Sequence, residues 1–431
     1  MNRRQFLSIA AGSALLPAVS RAATATKRPN ILIFMADDQY RESVGCYGAR
    51  PSHTPHIDAF AKTGVRFTHC FTPSSICTPN RGAFLSGMMP VKNGAHANHS
   101  GFHDGVKSLP NFMRDLGYRA CLVNKDGIRK PSDIYEWEHR ILESDEMAPG
   151  GTIPKSRRHR MTRFDELESF IASDDDRPFC LMHASRQPHT PYFSRLPNGL
   201  EGYDASNHYM DSEFGRDLDL LEKHGLSDST IVIYVNDNEA GIPRSKYTLY
   251  DSGVRVPCIV RWPGHTRANT VSDAMISFID FLPTLVDIIG GEVDTQWDGK
   301  SLVPLLEGRV TEHHEGLYFS YTGVSVGSDA VTTPYPIRAY RTRRYKYIRN
   351  LNYKIRHPKQ KGPRKPRVEL YNLEIDPLER NNMEFFADLD PVMERLDDEI
   401  VEWMEKTGDR GIETELELLK RYAIPTASSA L

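Results

Sequence analysis

The sequence predicts an α/β fold with a large, mostly parallel sheet, followed by a smaller C-terminal α+β part built on an antiparallel sheet. Three observations carry this reading. Continuous apolar runs at residues 30–36, 118–123, 178–184 and 230–235 have strand length and no consistently polar side, as strands buried on both faces do. Helical spacing intervenes at 54–62, 109–116 and 211–223, the alternation of a sheet covered by helices. From about Glu312 the chain changes to alternating runs at 317–321, 337–340, 345–348 and 369–373, closed by an amphipathic stretch at 391–406, which reads as strands of an antiparallel sheet with a terminal helix.

At 431 residues and a formal charge of −3, the chain is long enough for a large core. It lacks the excess of Lys and Arg with which nucleic-acid binders neutralise phosphates, so any anion site must be local. The first residues stand outside this fold. Asn2-Arg3-Arg4-Gln5-Phe6-Leu7 precedes an apolar run at 8–19 and small residues near Ala22, the layout of an export signal over 1–22 that is too short for a permanent membrane span. Paired arginines followed by Phe-Leu predict the twin-arginine route, with a general secretory signal as the alternative. Either way the expected location is periplasmic or extracellular, without a permanent membrane anchor. Six cysteines in an exported chain raise the question of disulfides, but Cys121, Cys180 and Cys258 lie in strand-like apolar runs, where reduced, buried thiols are expected.

Taken in order, the first strand ends in Asp37-Asp38. Adjacent carboxylates at a strand edge repel unless a cation or several donors sit between them, so they read either as ligands for Ca²⁺ or Mg²⁺ or as turn and capping aspartates. Residues 54–62 open a helix with Thr54 as N-cap and Pro55 in its first turn. A short strand at 65–67 feeds the stretch Ser74-Ser75-Ile76-Cys77-Thr78-Pro79-Asn80-Arg81. Pro79 suits a first helical turn there, which places Cys77 at a helix N-terminus where anions are favoured; a buried structural cysteine is the other reading. Gly117 closes the helix at 109–116, and the next strand delivers Lys125 at its edge. Residues 129–163 are polar and irregular, with a basic cluster from Lys155 to Arg163. The strand at 178–184 leads to Pro188-His189-Thr190-Pro191, where two prolines stiffen the backbone around a placed imidazole, functional or structural. The strand at 230–235 ends in Asn236-Asp237-Asn238, so two buried strands end in paired oxygen-bearing side chains; side by side they would make a four-ligand oxygen site. Lys246 precedes a turn at 250–257 and a strand at 258–262, and the helix at 278–289 stops at Gly290-Gly291. The loop at 356–367 is basic and proline-broken, either a solvated tip or a contact for a polyanion.

Several of these pieces come in one order: Asp37-Asp38, Gly45-Cys46-Tyr47-Gly48, Thr54-Pro55-His56-Ile57-Asp58, Cys77-Thr78-Pro79-Asn80-Arg81 with Leu85-Ser86-Gly87, Pro188-His189-Thr190-Pro191, Asp237-Asn238, Lys246, Gly253-Val254-Arg255-Val256-Pro257 and Glu369-Leu370-Tyr371-Asn372-Leu373. Together they resemble the formylglycine-dependent sulfatases of the alkaline-phosphatase-like superfamily, over about residues 30–377. The resemblance implies a large mixed, mostly parallel sheet sandwiched by helices, a catalytic domain over 28–310 and an α+β subdomain with terminal helix and tail over 311–431. It implies that a separate maturating enzyme oxidises Cys77 to formylglycine (3-oxoalanine), whose hydrate is the nucleophile: one hydroxyl attacks sulfur and the other later expels sulfate. By the same resemblance Asp37, Asp38, Asp237 and Asn238, with the converted Cys77, hold one Ca²⁺. Arg81 steadies the hydrate, Lys125 and Lys246 bind sulfate oxygens, and His189 binds substrate and protonates the departing alkoxide.

Two positions depart from the family pattern. Asn80 stands where the motif usually has Ser, and the family's G-K-x-H is Asn124-Lys125-Asp126-Gly127, so a second histidine is missing; His96, His99 and His103 are candidates for its place. The implied substrate is a sulfated carbohydrate, from export, the two basic clusters and the likeness of 93–100 to glycan sulfatases, including heparan N-sulfatase-like members. Sulfamates are therefore included beside esters. Two rivals remain: a phosphomonoester, phosphodiester or phosphonate hydrolase, since one fold hosts both chemistries, and a glycan-binding protein without catalysis.

Overall fold

The computed structural model describes residues 28–128, 136–153, 157–327, 330–359 and 362–424. The signal read at 1–22, Lys155 of the first basic cluster, and Gln360 and Lys361 of the second lie outside the described residues. Among the described residues, nine strands lie in the first part of the chain: β1 (Asn30–Asp37), β2 (Val65–Phe71), β3 (Arg119–Asn124), β4 (His139–Ile141), β5 (Phe179–Pro188), β6 (Phe193–Arg195), β7 (Thr230–Asn236), β8 (Arg255–Arg261) and β9 (Thr270–Ser277). Eight of them form one sheet in the order β4-β3-β5-β1-β7-β8-β2-β9. The strands from β4 to β7 run parallel, β8 is antiparallel to both neighbours, and β9 is parallel to β2. The sheet is thus mixed and mostly parallel, as expected.

Both faces of this sheet are apolar because its central strand is covered twice. On β1, Ile31, Ile33 and Met35 pack with Phe84, Leu109 and Phe281, whereas Leu32, Phe34 and Ala36 pack with Ile57, Leu167 and Phe214. Alternate residues of a strand point to opposite faces, so one unbroken apolar run feeds two cores. Burying each large side chain of this kind stabilises by about 1.5–3 kcal/mol.

Four further strands, β10 (Gly316–Tyr321), β11 (Ile337–Thr342), β12 (Tyr345–Asn350) and β13 (Val368–Asn372), form an antiparallel sheet in chain order. One face places Phe319, Tyr321 and Ile337 against Phe71, Tyr250 and Met275. The other places Tyr318, Tyr340 and Leu370 against Leu396 and Ile400 of the helix Asp390–Thr407. A last helix, Ile412–Arg421, packs Leu418 and Leu419 on Ala97 and Val324.

Local details differ from expectation for physical reasons. Thr54 does stand at the N-cap of Pro55–Phe60, but its side chain makes no capping bond; its hydroxyl instead accepts the Gly45 N–H at 3.0 Å. The helix expected from 211 starts earlier, at Gly202. All six cysteines are unpaired. Among the described residues, no helix is long and apolar enough to cross a membrane.

Candidate active site

The site is built where β1 and β7 end together. The two strands are adjacent and parallel, with Ala36 opposite Asn236, so Asp37-Asp38 and Asp237-Asn238 leave the same sheet edge. Open α/β sheets keep their ligands just outside such an edge. Asp38 takes a left-handed φ of 61°, which short Asp side chains tolerate. Its N–H donates to Asp237 Oδ1 at 3.1 Å, and Asn238 Nδ2 donates to Asp38 Oδ1 at 2.7 Å. The four oxygen-bearing residues that the sequence sets far apart are therefore one cluster.

Cys77 is the first residue of the helix Cys77–Ser86, after an extended Ile76. Its Sγ lies 3.7 Å from Asp37 Oδ1, 3.8 Å from Asp38 Oδ1 and 3.7 Å from Lys246 Nζ. Burial, reinforced by the Asp237 charge, pushes this thiol up to about 12, so at neutral pH an unmodified Cys77 is a protonated, weak nucleophile. Arg81, fully buried one turn on, forks onto Asp237 Oδ2 through Nε at 2.9 Å and Nη2 at 2.8 Å and lies 3.8 Å from Asp37. Its direct partner is a carboxylate of the cluster, which it fixes in place. Asn80, the departure from the usual Ser, accepts the Ser74 N–H at 2.9 Å and donates to the Asp237 carbonyl at 2.8 Å. It ties the loop before Cys77 to the end of β7, a role that nothing in the sequence signalled.

Cations close the cluster from outside. Lys125 Nζ is 2.5 Å from Asp37 Oδ2, and Lys246 Nζ is 2.6 and 2.7 Å from the two oxygens of Asp38. Burial alone would raise Asp37, but Lys125, His189, Arg81 and Arg158 together hold its carboxyl well below the usual range. Burial likewise opposes the charge on Lys246, and Asp38 outweighs it and keeps the ammonium protonated. His189 directs Nε2 to Asp38 Oδ2 at 3.4 Å and turns Nδ1 to the Thr190 carbonyl. Burial outweighs the pull of Asp37 and Asp38 and lowers this imidazole to about 4.

Asn238 Oδ1 is buried and has no hydrogen-bond partner, although buried acceptors are ordinarily satisfied. With three carboxylates beside it, that orphaned oxygen fits a hard cation such as Ca²⁺. Ligand atoms of Asp37, Asp38, Cys77 and His189 also converge within 4.8 Å of one another.

The missing histidine has a steric explanation. Gly127 has φ 80°, and a Cβ there would lie 2.5 Å from Arg81 Cδ; its carbonyl accepts the Thr78 hydroxyl at 2.8 Å. Arg81 packs where a side chain would start. Of the three substitute histidines, His96 and His103 line a cavity with Thr414, Leu418 and Arg421 of the terminal helix. Only His99 is tied beside the site, its N–H donating to Thr78 Oγ1 at 3.0 Å. The cation that does arrive is Arg158, whose Nη1 is 3.2 Å from Asp37 Oδ2. It was legible only as one member of a basic cluster. What selects it is the loop: the Gln187 side-chain amide donates to the Arg158 carbonyl, and buried His159 contacts the Pro191 carbonyl at 3.0 Å. Arg160 and Arg163 instead pair with Asp145 and Glu166 at the surface.

The second basic loop also comes near. Tyr247, next to Lys246, donates its N–H to the Ser75 carbonyl at 3.3 Å. Lys365 Nζ donates to Tyr250 Oη at 2.6 Å, so the loop is anchored on the turn that follows Lys246.

Comparison with known proteins adds an independent view. Residues 29–291 match the sulfatase family model, and residues 244–406 match the model for the C-terminal part of N-sulphoglucosamine sulphohydrolase. The chain is 30% identical over 429 residues to an ulvan-active sulfatase of Formosa agariphila, covering 91% of this chain and 83% of that one. It is 27% identical over 469 residues to human N-sulphoglucosamine sulphohydrolase, covering 88% and 90%. In fold it is similar to a protein solved in complex with its substrate D-glucosamine-2-N,6-O-disulfate, with TM-score 0.71, 21% identity and coverage of 90% and 99%.

Proposed function

The chain belongs to the sulfatase family and is a sulfuric ester hydrolase, and from that premise we propose that it removes sulfate from a sulfated carbohydrate with Cys77, converted to formylglycine, as its nucleophilic position. The observation that carries this reading is the placement of Cys77 at a helix start within 3.7–3.8 Å of Asp37, Asp38 and Lys246. A converted residue would supply the geminal hydroxyls, and Ca²⁺ held by Asp37, Asp38, Asp237 and Asn238 would polarise them and clamp a sulfate oxygen. The remaining work falls to side chains. Lys125, Lys246 and Arg158 draw a sulfate oxygen to the cluster, each releasing part of its hold on a carboxylate. Arg81 keeps Asp237 in register. His189 turns only Nε2 of its ring into the cluster; neutral at rest, with its one proton on Nδ1 toward the Thr190 carbonyl, it would take up a second proton on Nε2 before serving as proton donor to the departing oxygen.

A carbohydrate substrate is supported by the names of the relatives, which act on ulvan and on N-sulphoglucosamine, and by the basic loop that brings Arg158 to Asp37. Sulfamates stay within the proposal beside esters. Export through the signal at 1–22, maturation by a separate formylglycine-generating enzyme, and a division near residue 310 belong to the same reading. The division is supported by the order of strands, with β1–β9 before it and β10–β13 after it.

The test is co-expression with a formylglycine-generating enzyme, followed by turnover of aryl sulfate, aryl phosphate and a panel of defined sulfated glycans. Sulfate release from glycans is expected, and a clear preference for aryl phosphate would overturn the reaction assignment. Tight glycan binding with no release across the panel would assign the chain to the non-catalytic rival.

Arg158 offers a sharper check. A charge-assisted hydrogen bond contributes about 1.5–3 kcal/mol, so Arg158→Ala is expected to lower kcat/KM by roughly ten- to hundred-fold, mostly through KM. Arg158→Lys should recover part of the loss, and thermal stability should stay near the parent value. An unchanged kcat/KM would remove Arg158 from the site.

A further inference from the structure

A second group of metal-ligating side chains lies away from Cys77, at the joint between the two sheets. Asp280 ends the short 3-10 turn Phe278–Asp280 that follows β9. His313 and His314 lie just before β10. His314 Nε2 is 3.0 and 2.9 Å from the two oxygens of Asp280, and His313 Nε2 is 3.5 Å from Oδ2. The side chains are 0, 6 and 15% exposed for Asp280, His313 and His314. His313 Nε2 is buried and makes no hydrogen bond, so a polar nitrogen aimed at a carboxylate is left unsatisfied.

We propose that Asp280, His313 and His314 form a binding site for a divalent transition-metal ion, with Zn²⁺ the best match, separate from the Cys77 centre. Two imidazole nitrogens and one carboxylate oxygen are the donors of three-residue zinc sites, and they are too few and too nitrogen-rich for Ca²⁺, which takes six to eight oxygens. The spacing agrees. Bonds of about 2.0–2.1 Å to a tetrahedral ion put its ligands about 3.3 Å apart, and the Asp280–histidine separations of 2.9–3.5 Å bracket that value. All three ligand atoms fall within 4.8 Å of one another. The carboxylate is already aimed, because Asp280 Oδ2 accepts the Ser277 N–H at 2.8 Å and Oδ1 accepts the Lys300 N–H at 3.1 Å, as outer partners orient a metal ligand. The backbone on the other side is held too: the His314 N–H donates to the Met275 carbonyl at 3.3 Å, and the Lys300 ammonium donates to the His313 carbonyl. The slight exposure of His314 leaves the fourth position to water. Bound there, the ion would pin the segment leading into β10 to the end of β9.

The experiment uses the whole chain carrying Cys77→Ala, stripped with chelator and supplied with excess Ca²⁺, so that the other centre is occupied by calcium and has no thiol. Titration with Zn²⁺ by calorimetry, and with Co²⁺ by visible absorption, is expected to show one tight equivalent and a rise in Tm. His313→Gln forfeits no hydrogen bond, and it should keep the fold while weakening Zn²⁺ binding by about 100-fold or more; the double variant H313Q/H314Q should lose the equivalent altogether. Asp280→Asn is unsuitable, since that carboxylate also caps the turn. No uptake by the parent would overturn the proposal and leave the trio as a hydrogen-bonded latch. Equal uptake by parent and double variant would overturn it as well, by placing the ion elsewhere.

Discussion

Alanine at position 77 is expected to abolish sulfate release, with kcat falling on the order of 10⁶-fold, the scale of deleting the nucleophile from an enzyme that works through a covalent step. The fold should persist, because the Cys77 side chain is buried yet makes only contacts of 3.7–3.8 Å with its polar neighbours, and losing one sulfur from such a place costs about 1 kcal/mol. Cys77→Ser is expected to be inactive too: it supplies one hydroxyl, whereas the proposed chemistry uses two. The measurement is sulfate release from the parent and both variants, each co-expressed with the maturating enzyme, alongside the mass of the peptide that carries residue 77. The parent should show loss of the thiol in favour of an aldehyde. Activity in the alanine variant, or full activity in a preparation whose residue 77 is entirely thiol, would remove Cys77 from the chemistry.

That expectation draws on a site whose parts were readable to different degrees. Asp37-Asp38 and Asp237-Asn238 were legible because each pair ends an unmistakable apolar strand, and parallel neighbours bring such ends to one edge. Lys125 and His189 follow for the same reason, being delivered by β3 and β5. Arg158, Asn80 and the packing of Arg81 on Gly127 were not. Arg158 is positioned by Gln187 and by the buried ring of His159, contacts between segments with no shared periodicity. The role of Asn80 depends on a donor six residues before it and an acceptor far after it. Side chains placed by loops leave little pattern in a sequence.

The fold divides in the same way. The runs that became β1, β3, β5 and β7 were legible because burial on both faces removes any polar position. β9 was not, since its first half is partly exposed at the sheet edge and only Ala274–Ser277 are fully buried. β2 continues beyond residue 67 through a shift of register against both neighbours, which breaks the alternation a reader would follow. The antiparallel sense of β8 could not be read from its apolar run, because a doubly buried strand looks alike in either direction.

Asp251 shows how much stability can rest on a residue the sequence marks only as part of a turn. Its carboxylate is buried between the two sheets, with Arg341 Nε at 3.0 Å from Oδ1, Arg341 Nη2 at 2.9 Å from Oδ2 and Lys346 Nζ at 3.0 Å from Oδ1. Its N–H donates to Glu379 at 2.6 Å. Asp251→Asn keeps the shape but leaves two buried cations without their anion, and breaking a buried pair in this way costs about 3–5 kcal/mol. The variant should therefore unfold at markedly lower urea at pH 7. The pH dependence has a definite sign. Burial would raise the Asp251 carboxyl, but Arg341 and Lys346, with Arg255 behind them, hold it far below its ordinary 3.8. A group depressed on folding contributes its full stability above its unfolded value and loses it as pH falls, here by about 1.4 kcal/mol for each unit below that value. Glu379, pushed up by burial and by the Asp251 charge beside it, acts in the opposite direction and weakens the fold as pH rises, and it does so more in the parent than in Asp251→Asn, where that charge is gone. The gap between parent and Asp251→Asn should thus be no wider at pH 7 than at pH 5, and it should narrow below pH 4. Urea midpoints followed by tryptophan fluorescence across that range test this; midpoints that stay equally far apart at pH 3 would mean that the Arg341–Asp251–Lys346 cluster does not hold the two sheets together.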